Sequence, residues 1–366
     1  MKYAFIVAGL SALFVQAAKA DKVSTASGML DIFPVVEDLD TPWAFGFLPD
    51  AAILITERDG RLLWVKGDQR HKVAGLPKVD AGGQGGLLDV LVPRDFATSR
   101  EIFLTYSKKQ GVFGSGTAVF RATLSKDGRR LTRGRTIFEI KRGSRGGRHF
   151  GSRLIEARDG TLFVTIGDRG DRPEAQNLNS HNGSVLRITK EGQPAPGNPF
   201  VGQGLPDIWS FGHRNPQGAA LDSQGQLWIN EHGARGGDEV NRVRKGRNYG
   251  WPVIAYGRHY SGAQIGEGSE KEGLEQPEFY WDPSIAPSGM TFFDGDIPGW
   301  HGDAFVGSLK FDYISRLSGT PLREVEQIQS PETARVRDVR QGPDGALWFL
   351  SVGNDALYRI APRNSN

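Results

Sequence analysis

Short apolar runs that follow a turn recur along the chain, and they predict β-strands. Residues 58–65 read RDGRLLWV, and residues 158–166 read RDGTLFVTI. Related runs are SQGQLWI at residues 223–229 and PDGALWFL at residues 343–350. A Gly-containing turn followed by β-branched and aromatic residues is a strong hairpin signal. Prolines and glycines interrupt nearly every longer window, so the pattern does not favour long helices.

The spacing of these runs predicts how the strands are grouped. Their turn glycines are 100, 65 and 120 residues apart. With a unit of about 60 residues, the gaps correspond to two, one and two units, which makes six repeats. β-Propellers repeat small sheets along the chain, with blades of about 40–50 residues or more. We therefore predict an all-β fold, a six-bladed β-propeller of four-stranded antiparallel blades, in preference to hairpins of a β-sandwich.

The amino terminus has the organisation of a secretory signal. Lys2 precedes an apolar, uncharged run that ends at residue 18, and Ala-Lys-Ala at residues 18–20 forms a small-residue cleavage site before Asp21. This order predicts a signal peptide over residues 1–20. A membrane anchor is the alternative, but the run is short beside the roughly 20 apolar residues of a span. We expect residues 21–366 to form one catalytic propeller domain without a membrane span, in the periplasm or secreted.

Composition narrows the possible classes of function. The chain has 45 Lys and Arg residues against 42 Asp and Glu residues, so net charge gives no reason to expect a nucleic-acid or acidic-membrane partner. It has no cysteine, which excludes disulfides, cysteine-based zinc sites, haem attachment and cysteine nucleophiles. An exported chain without disulfides needs a large core or a bound metal to hold it. Both a monomer and a homodimer are open.

Three polar, glycine-rich segments are candidates for chemistry. They read GGQGGLLDV at residues 82–90, GRHFGSRL at 147–154 followed by IGDRG at 166–170, and SFGHRNPQG at 210–218 followed by EHGARGGDEVN at 231–241. The first is weak on its own. It lacks the Lys and the Ser or Thr that a phosphate-binding loop requires, and it reads equally well as a turn that enters a strand.

Together with the repeat, these segments resemble the soluble glucose and aldose sugar dehydrogenases that depend on pyrroloquinoline quinone (PQQ). The most specific pieces are FGHRNPQG at residues 211–218 and GDEVNRVRKGRNYGWP at residues 237–252. The resemblance covers nearly all of the chain after residue 20, and the bacterial aldose sugar dehydrogenase branch is the nearest match. It implies oxidation of aldose sugars at C1 to lactones, with PQQ and Ca²⁺ as cofactors and an external electron acceptor.

The resemblance implies a catalytic role for three residues. His149 matches the general base, Asp168 the carboxylate that orients it, and Arg214 the arginine beside the reacting carbonyl of PQQ. A histidine suits the first role because its ordinary pKa of about 6.5 leaves much of it neutral near pH 7. Without the resemblance, His149 in its glycine-rich segment also reads as a surface turn residue.

The resemblance also implies a cofactor site. Besides His149 and Arg214, the matching residues are the amides Gln84 and Asn215 and the cations Lys310, Arg335 and Arg337. PQQ is a tricarboxylate, and cations, arginine above all, suit carboxylates. Arg335 and Arg337 would share one face of a strand, since they are two positions apart. Without the resemblance, that pair reads as a solvated strand edge.

Calcium is implied at two places. The backbone carbonyls of Gly233 and Ala234 match ligands of an ion that contacts PQQ, and Glu239 and Tyr249 match a second site, with Tyr249 using its backbone. Ala234 departs from the proline of the glucose-specific branch, but a carbonyl remains available. Arg148 stands where that branch has an acidic residue that contacts sugar, so tight glucose specificity is not expected.

Two other functions compete with this interpretation. A calcium-dependent lactone hydrolase would also be a propeller, but it holds its metal with carboxylates and amides. Lys310, Arg335 and Arg337 would repel that metal. A non-catalytic binding propeller would need no cofactor and no His149 beside Asp168.

Overall fold

β-Strands account for nearly all regular structure in residues 21–362, the part of the chain that the computed structural model describes. Helical structure there is limited to a four-residue α-helix, Phe96–Ser99, and three 3₁₀ turns, Gly111–Phe113, Arg172–Gln176 and Pro331–Thr333. None of these helices is long and apolar enough to cross a membrane. The predicted signal peptide, residues 1–20, lies outside the described residues.

The strands form six antiparallel sheets, which we number as blades in chain order. The strands up to the end of blade 3 are β1 (Asp21–Thr25), β2 (Gly28–Val36), β3 (Pro42–Phe47), β4 (Ile53–Glu57), β5 (Arg61–Lys66), β6 (Gln69–Lys72), β7 (Leu87–Leu91), β8 (Glu101–Lys109), β9 (Ser115–Leu124), β10 (Leu131–Glu139), β11 (Leu154–Glu156), β12 (Leu162–Ile166), β13 (Ser184–Ile188) and β14 (Ile208–Phe211). The strands of blades 4 to 6 are β15 (Pro216–Leu221), β16 (Leu227–Glu231), β17 (Asp238–Arg242), β18 (Phe279–Trp281), β19 (Pro287–Phe292), β20 (Ala304–Ser308), β21 (Tyr313–Ser318), β22 (Arg323–Gln329), β23 (Val336–Gln341), β24 (Leu347–Ser351) and β25 (Ala356–Pro362).

The blades close into a ring around one axis. Blades 1 to 5 begin at β3, β7, β11, β15 and β19, and blade 6 begins at β23. Each of these first strands contacts the first strand of the next blade, and β23 contacts β3. The molecule is therefore a six-bladed β-propeller, which confirms the prediction. Blade 6 has five strands instead of four, because β2 pairs with β25 and β1 pairs with β2.

An apolar cluster fills the space between each pair of neighbouring blades. Leu54 and Leu104 meet between blades 1 and 2, and Trp300 and Phe349 belong to the cluster between blades 5 and 6. Both faces of a blade are thus covered, and β4 is buried at every position. This explains why the strands read as continuous apolar runs and not as an alternation of apolar and polar residues.

The repeated turns do not all occupy the same place in a blade. Gly160, Gly225 and Gly345 lie between the first and second strands of their blades, whereas Gly60 lies between β4 and β5, the second and third strands of blade 1. The equivalent turn of blade 1 contains Ala51, which adopts a left-handed φ of 66°. The number of repeats is correct, although the first run marks a different turn from the other three.

The residues with predicted chemistry gather at one end of the propeller. Since neighbouring strands are antiparallel, the start of the first strand and the end of the second lie at the same edge of a blade. Gln84 and His149 precede β7 and β11, Asp168 follows β12, and Lys310 follows β20. We call this end the site face.

Candidate active site

A histidine–carboxylate pair lies on the site face. His149 Nδ1 is 2.6 Å from Asp168 Oδ1, and the two side chains are 13% and 1% exposed. Burial lowers the pKa of His149 below its ordinary value; the hydrogen bond to Asp168 opposes this effect, and the charge of Arg214 adds to it. The imidazole is therefore neutral near pH 7, with Nδ1–H donating to Asp168 and Nε2 left as an acceptor.

Asp168 is held at both of its carboxylate oxygens. Trp251 Nε1 donates to Oδ2 at 2.8 Å, and the Gly170 N–H donates to Oδ1 at 2.7 Å. Burial alone would raise the pKa of Asp168, but the hydrogen bond from His149 and the other donors outweigh it and lower that pKa. Asp168 is thus an ionised and immobile partner for the imidazole. Trp251 lies within the motif at residues 237–252, yet no sequence pattern connects it to Asp168.

Two glycine-rich segments set the backbone of His149. Gln84 Oε1 accepts from the His149 N–H at 2.7 Å, and the Gln84 N–H donates to the carbonyl of Gly147 at 2.8 Å. A Cβ at Gly167 would lie 2.2 Å from the His149 carbonyl oxygen, so that position admits only glycine without displacement. His149 itself has a left-handed φ of 54°. The segment at residues 82–90, weak by sequence alone, therefore packs directly on the histidine segment.

Arg214 lies beside the histidine pair. Its Nη1 donates to the carbonyl of His232 at 3.0 Å, and its guanidinium lies 5.3 Å from the centre of the Trp251 ring. The Arg214 carbonyl accepts from the Asp168 N–H at 2.8 Å. Burial lowers the pKa of Arg214, and its Nε has no hydrogen-bond partner within residues 21–362. A buried donor without a partner marks a place where a ligand oxygen can bind.

A cavity of about 520 Å³ opens next to this group. Four cations line it, Arg58, Lys310, Arg335 and Arg337, and no carboxylate is among the lining residues that the structure describes. The amides Gln84, Asn215 and Gln217 and the ring of Trp43 complete much of the wall. His149 and Arg214 each neighbour a lining residue in the chain. The structure thus brings to one cavity the five predicted cofactor residues that have no predicted catalytic role. These are Gln84, Asn215, Lys310, Arg335 and Arg337.

The two predicted arginines reach this cavity in different ways. Arg337 lies on β23, but Arg335 precedes the strand and has a left-handed φ of 51°. Their common direction therefore does not come from strand alternation, and that part of the prediction is wrong. Arg337 packs on Trp43 at 4.5 Å and donates to Gln217 Oε1 at 2.5 Å. Burial lowers its pKa to about 9, and its Nε has no partner within the described residues.

Three further lining residues have no predicted role, although Arg58 and Gln217 lie within segments that the sequence singles out. Arg58 stands in the turn of blade 1 that faces the site, and its Nη1 donates to the carbonyl of Gly83 at 2.8 Å. Trp43 and Gln217 lie on the inner strands β3 and β15. Inner strands face the axis in every blade, so polar or aromatic residues within them are the signal that could have indicated these positions.

A second, much smaller cavity of about 20 Å³ contains three of the predicted calcium positions, Gly233, Glu239 and Tyr249. Glu231 faces Glu239 across the β16–β17 pair, and Asn241 Nδ2 donates to both carboxylates at 3.1 Å. Burial, followed by the charge of Glu231, raises the pKa of Glu239 to about 8. Two buried carboxylates at close range favour a cation between or beside them.

Ala234, the fourth predicted calcium position, packs differently. Its side chain belongs to a small apolar cluster with Ala175, Trp251 and Ile265. Residues 21–362 contain no group of three or more His, Cys, Asp or Glu side chains arranged for a metal.

Comparisons with known proteins show the family of this chain. The family model described as glucose/sorbosone dehydrogenase matches residues 39–359. Aldose sugar dehydrogenase YliI of Escherichia coli K12 is 42% identical over 351 residues, which cover 93% of this chain and 95% of that protein. Quinoprotein glucose dehydrogenase B of Acinetobacter calcoaceticus is 30% identical, over 86% of this chain and 84% of its own length.

The fold of a solved relative is also similar. The crystal structure of the soluble aldose sugar dehydrogenase from Escherichia coli, in the apo form, superposes with a TM-score of 0.87 at 41% identity. The match covers 91% of this chain and all of that one. The fold of this chain is therefore that of a solved aldose sugar dehydrogenase.

Proposed function

The chain belongs to the glucose/sorbosone dehydrogenase family, and from this premise we propose that it is a PQQ- and calcium-dependent aldose sugar dehydrogenase. In the proposed reaction a cyclic aldose loses two electrons at C1 and becomes the lactone. His149 would take the proton of the C1 hydroxyl. An external acceptor, which the chain does not identify, would finally receive the two electrons.

The observation that carries this proposal is the cavity with four cations beside the His149–Asp168 pair. A planar tricarboxylate needs positive charge, hydrogen-bond donors and a flat apolar wall. Lys310, Arg335 and Arg337 would hold the carboxylates, and Gln84 and Asn215 would bond the ring system. The Nε atoms of Arg337 and Arg214, which have no partner among residues 21–362, are donors that such a ligand would satisfy. The residues present therefore fit the cofactor.

His149 is the proposed general base. Asp168 accepts from Nδ1 and so fixes the tautomer in which Nε2 is free to take the proton of the anomeric hydroxyl. Once the imidazole is protonated, the ionised Asp168 stabilises its charge, as in a catalytic triad. PQQ, when bound, supplies a quinone that accepts the hydride. Arg214 would place a fixed positive charge near that site, where negative charge develops.

Calcium has two proposed sites. The carbonyls of Gly233 and Ala234 would contribute to an ion at the cofactor, and Glu239 with the backbone of Tyr249 would contribute to a second ion. The hydroxyl of Tyr249 already donates to the Arg242 carbonyl at 2.6 Å, which leaves its backbone as the available ligand. The facing carboxylates Glu231 and Glu239 support a cation at the second site.

Export to the periplasm is part of the proposal, because residues 1–20 read as a signal peptide. A broad sugar range is the other part, since Arg148 replaces the acidic sugar contact of the glucose-specific branch.

The lactone hydrolase alternative is disfavoured by the four cations around the large cavity, which would repel a catalytic calcium ion there.

Titration of PQQ into the calcium-loaded protein tests the cofactor site. Lys310→Ala should weaken PQQ binding by about ten- to a hundredfold, the worth of one charged hydrogen bond. Lys126→Ala is the matched control, because Lys126 is an exposed lysine in the β9–β10 turn at the opposite end of the blade. Equal PQQ affinities for the two variants, or no PQQ binding by the wild-type protein, would refute the assigned site.

A further inference from the structure

The outer edge of blade 2 carries a strong local charge that the balanced composition of the chain conceals. Residues 126–148 contain nine of the 45 Lys and Arg residues but only two of the 42 Asp and Glu residues. All nine of these cations are exposed. The rest of the chain is therefore slightly negative, with 36 basic and 40 acidic residues. A positive region of this kind on an otherwise acidic molecule indicates an anionic partner.

These cations continue from one end of the blade to the other. Five of them precede or lie on β10, the outermost strand of blade 2: Lys126, Arg129, Arg130, Arg133 and Arg135. The other four follow β10 and end at the site face: Lys141, Arg142, Arg145 and Arg148. We call these nine residues the basic edge.

The charge of the basic edge is not compensated within the molecule. Among residues 21–362, none of the nine cations forms an ion pair with a carboxylate. Glu139 pairs instead with Lys108 at 2.7 Å, and Asp127 Oδ1 accepts from the backbone N–H of Arg129 at 3.1 Å. Concentrated like charges repel one another and oppose folding, so a ligand that neutralises them would bind here with a gain in free energy.

Protection of an exposed strand edge explains only part of this charge. Edge strands often carry Lys or Arg, which block pairing with another sheet. Only Arg133 and Arg135 lie within β10, whereas the other seven cations flank the strand. The outermost strands of blades 3 and 4, β14 and β18, have no charged residue at all. A partner outside the molecule accounts for the remaining charge.

An exposed apolar tip adjoins the basic edge at the site face. Val112 and Phe113, in the 3₁₀ turn between β8 and β9, are 69% and 49% exposed. Arg145 Nε donates to the Val112 carbonyl at 2.8 Å, and the Arg142 guanidinium lies 5.1 Å from the centre of the Phe113 ring. Cations beside exposed apolar side chains are typical of surfaces that lie on a bilayer. A soluble polyanion would give the apolar tip no such contact.

We infer that the basic edge attaches the protein peripherally to a membrane surface rich in anionic phospholipid. The cations bind the phosphate headgroups, and Val112 and Phe113 enter the headgroup region. Each Lys or Arg near such a surface raises the affinity about fivefold, so several together hold the protein without a spanning segment. The inference concerns binding alone and does not rest on the proposed function. Together with that function, attachment would keep the enzyme beside electron acceptors carried in the membrane.

Flotation with lipid vesicles tests the attachment. At low ionic strength the wild-type protein should bind vesicles of phosphatidylglycerol and phosphatidylethanolamine, but not vesicles of phosphatidylcholine. NaCl at about 1 M, which shortens the screening length to about 3 Å, should release most of the bound protein. No preference for the anionic vesicles would overturn the inference. Retention on heparin without binding to anionic vesicles would also overturn it, in favour of a soluble polyanion.

Two matched pairs of substitutions locate the surface. Arg133→Gln/Arg135→Gln removes two cations of the basic edge and should weaken binding to the anionic vesicles about twentyfold. Lys245→Gln/Arg323→Gln removes two exposed cations of blades 4 and 5 and should leave the affinity nearly unchanged. Both variants lose the same net charge and keep the same amino terminus, so residues 1–20 contribute equally. Equal affinities for the two variants would overturn the inference.

A second set of variants tests the site-face end of the basic edge. Lys141→Gln/Arg142→Gln should also weaken vesicle binding about twentyfold, and it decides the question if Arg133→Gln/Arg135→Gln does not fold. Phe113→Ala should weaken binding about fivefold, because an aromatic ring no longer leaves water for the interface. Affinities that stay unchanged in both variants would overturn the inference.

Discussion

At the scale of single residues, the proposed chemistry depends on how firmly Asp168 is held. Its oxygens accept from His149 Nδ1, Trp251 Nε1 and the Gly170 N–H. With its orientation fixed, the carboxylate can direct the imidazole without moving during the reaction. His149 and Asp168 follow from the family resemblance. Trp251 was not predictable in the same way, because it comes from a distant loop and only the folded chain brings it to the carboxylate.

The pH dependence of turnover follows from the pKa of His149. Burial lowers this pKa below the ordinary value of about 6.5, and only the neutral imidazole can accept a proton. We expect kcat/KM to stay level as the pH falls from 7 to about 6.5 and to decline only at lower pH. A pH profile with a stopped dye assay measures this. A decline that begins above pH 7 would show that another group, or a raised histidine pKa, controls the rate.

Removal of the Trp251 donor should move that profile. Trp251→Phe leaves Asp168 Oδ2 without its indole N–H, so the carboxylate holds the imidazolium more strongly and the pKa of His149 rises. We expect the acid limb of kcat/KM to move to higher pH and kcat to fall about tenfold, the worth of one hydrogen bond to a charged group. A lower melting temperature with an unchanged profile would indicate a purely structural role for Trp251.

At the scale of elements, the glycine-rich segments act through close backbone contact. Gly83 and Gly167 lie against Gly147 and His149 so closely that a Cβ at either position would be 2.2–2.3 Å from a carbonyl oxygen. Such contacts bring the ends of β7, β11 and β12 together on the site face. The neighbouring backbone therefore fixes the position of His149, the proposed general base. Proton transfer requires such a fixed position, because small displacements of the reacting groups slow it strongly.

The substitution Gly167→Ala tests this support. The added methyl group meets the His149 carbonyl oxygen, so His149 must shift, and we expect kcat to fall by about a hundredfold. Gly160→Ala is the control in the same hairpin. It has nothing within 4 Å of the added Cβ and bears only the strain of a left-handed φ, about 1–2 kcal/mol. Similar activity losses in the two variants would mean that general destabilisation, and not displacement of His149, is the cause.

Much of the fold could be predicted at this scale, because the Asp-Gly and Gln-Gly turns mark hairpins directly. Gly60 marks a different turn from the other three glycines, because a local hairpin signal does not say which hairpin of a blade it marks. Arg335 illustrates the limit for the site. Its left-handed backbone directs it into the cavity, and that backbone depends on contacts such as the Arg335 N–H to Asp312 Oδ1, which no periodicity reveals.

At the scale of the whole molecule, ring closure and a buried ion network hold the blades in register. Arg153 Nη1 in blade 3 lies 3.0 Å from Asp338 in blade 6 and 3.3 Å from Asp89 in blade 2. Arg340 Nη2 lies 2.5 Å from Asp89. Arg153 and Arg337 both pack on the ring of Trp43, each at 4.5 Å, so the network adjoins the wall of the cofactor cavity. The sequence does not reveal this ion network, because its residues come from three blades and lie far apart along the chain.

The pairing of β2 with β25 makes a further prediction about stability. Ile32 lies opposite Ile360 on β25 and is fully buried in the cluster between blades 5 and 6. Ile32→Ala should lower the free energy of unfolding by about 2–5 kcal/mol, as for other buried aliphatic truncations. Met29→Ala on the same strand, where the side chain is 50% exposed, should change it by less than about 0.5 kcal/mol. Equal effects in denaturant titrations would argue against closure through β2.

The most direct test of the proposed function is a reconstitution assay with the wild-type protein and His149→Ala. With PQQ and Ca²⁺ both added, the wild-type protein should oxidise aldoses in a dye-linked assay, and omission of either should remove the activity. His149→Ala should still bind PQQ, with kcat lowered about 10²- to 10⁴-fold by the loss of the base. Aldose oxidation that needs neither addition, or an undiminished rate in His149→Ala, would contradict the proposed mechanism.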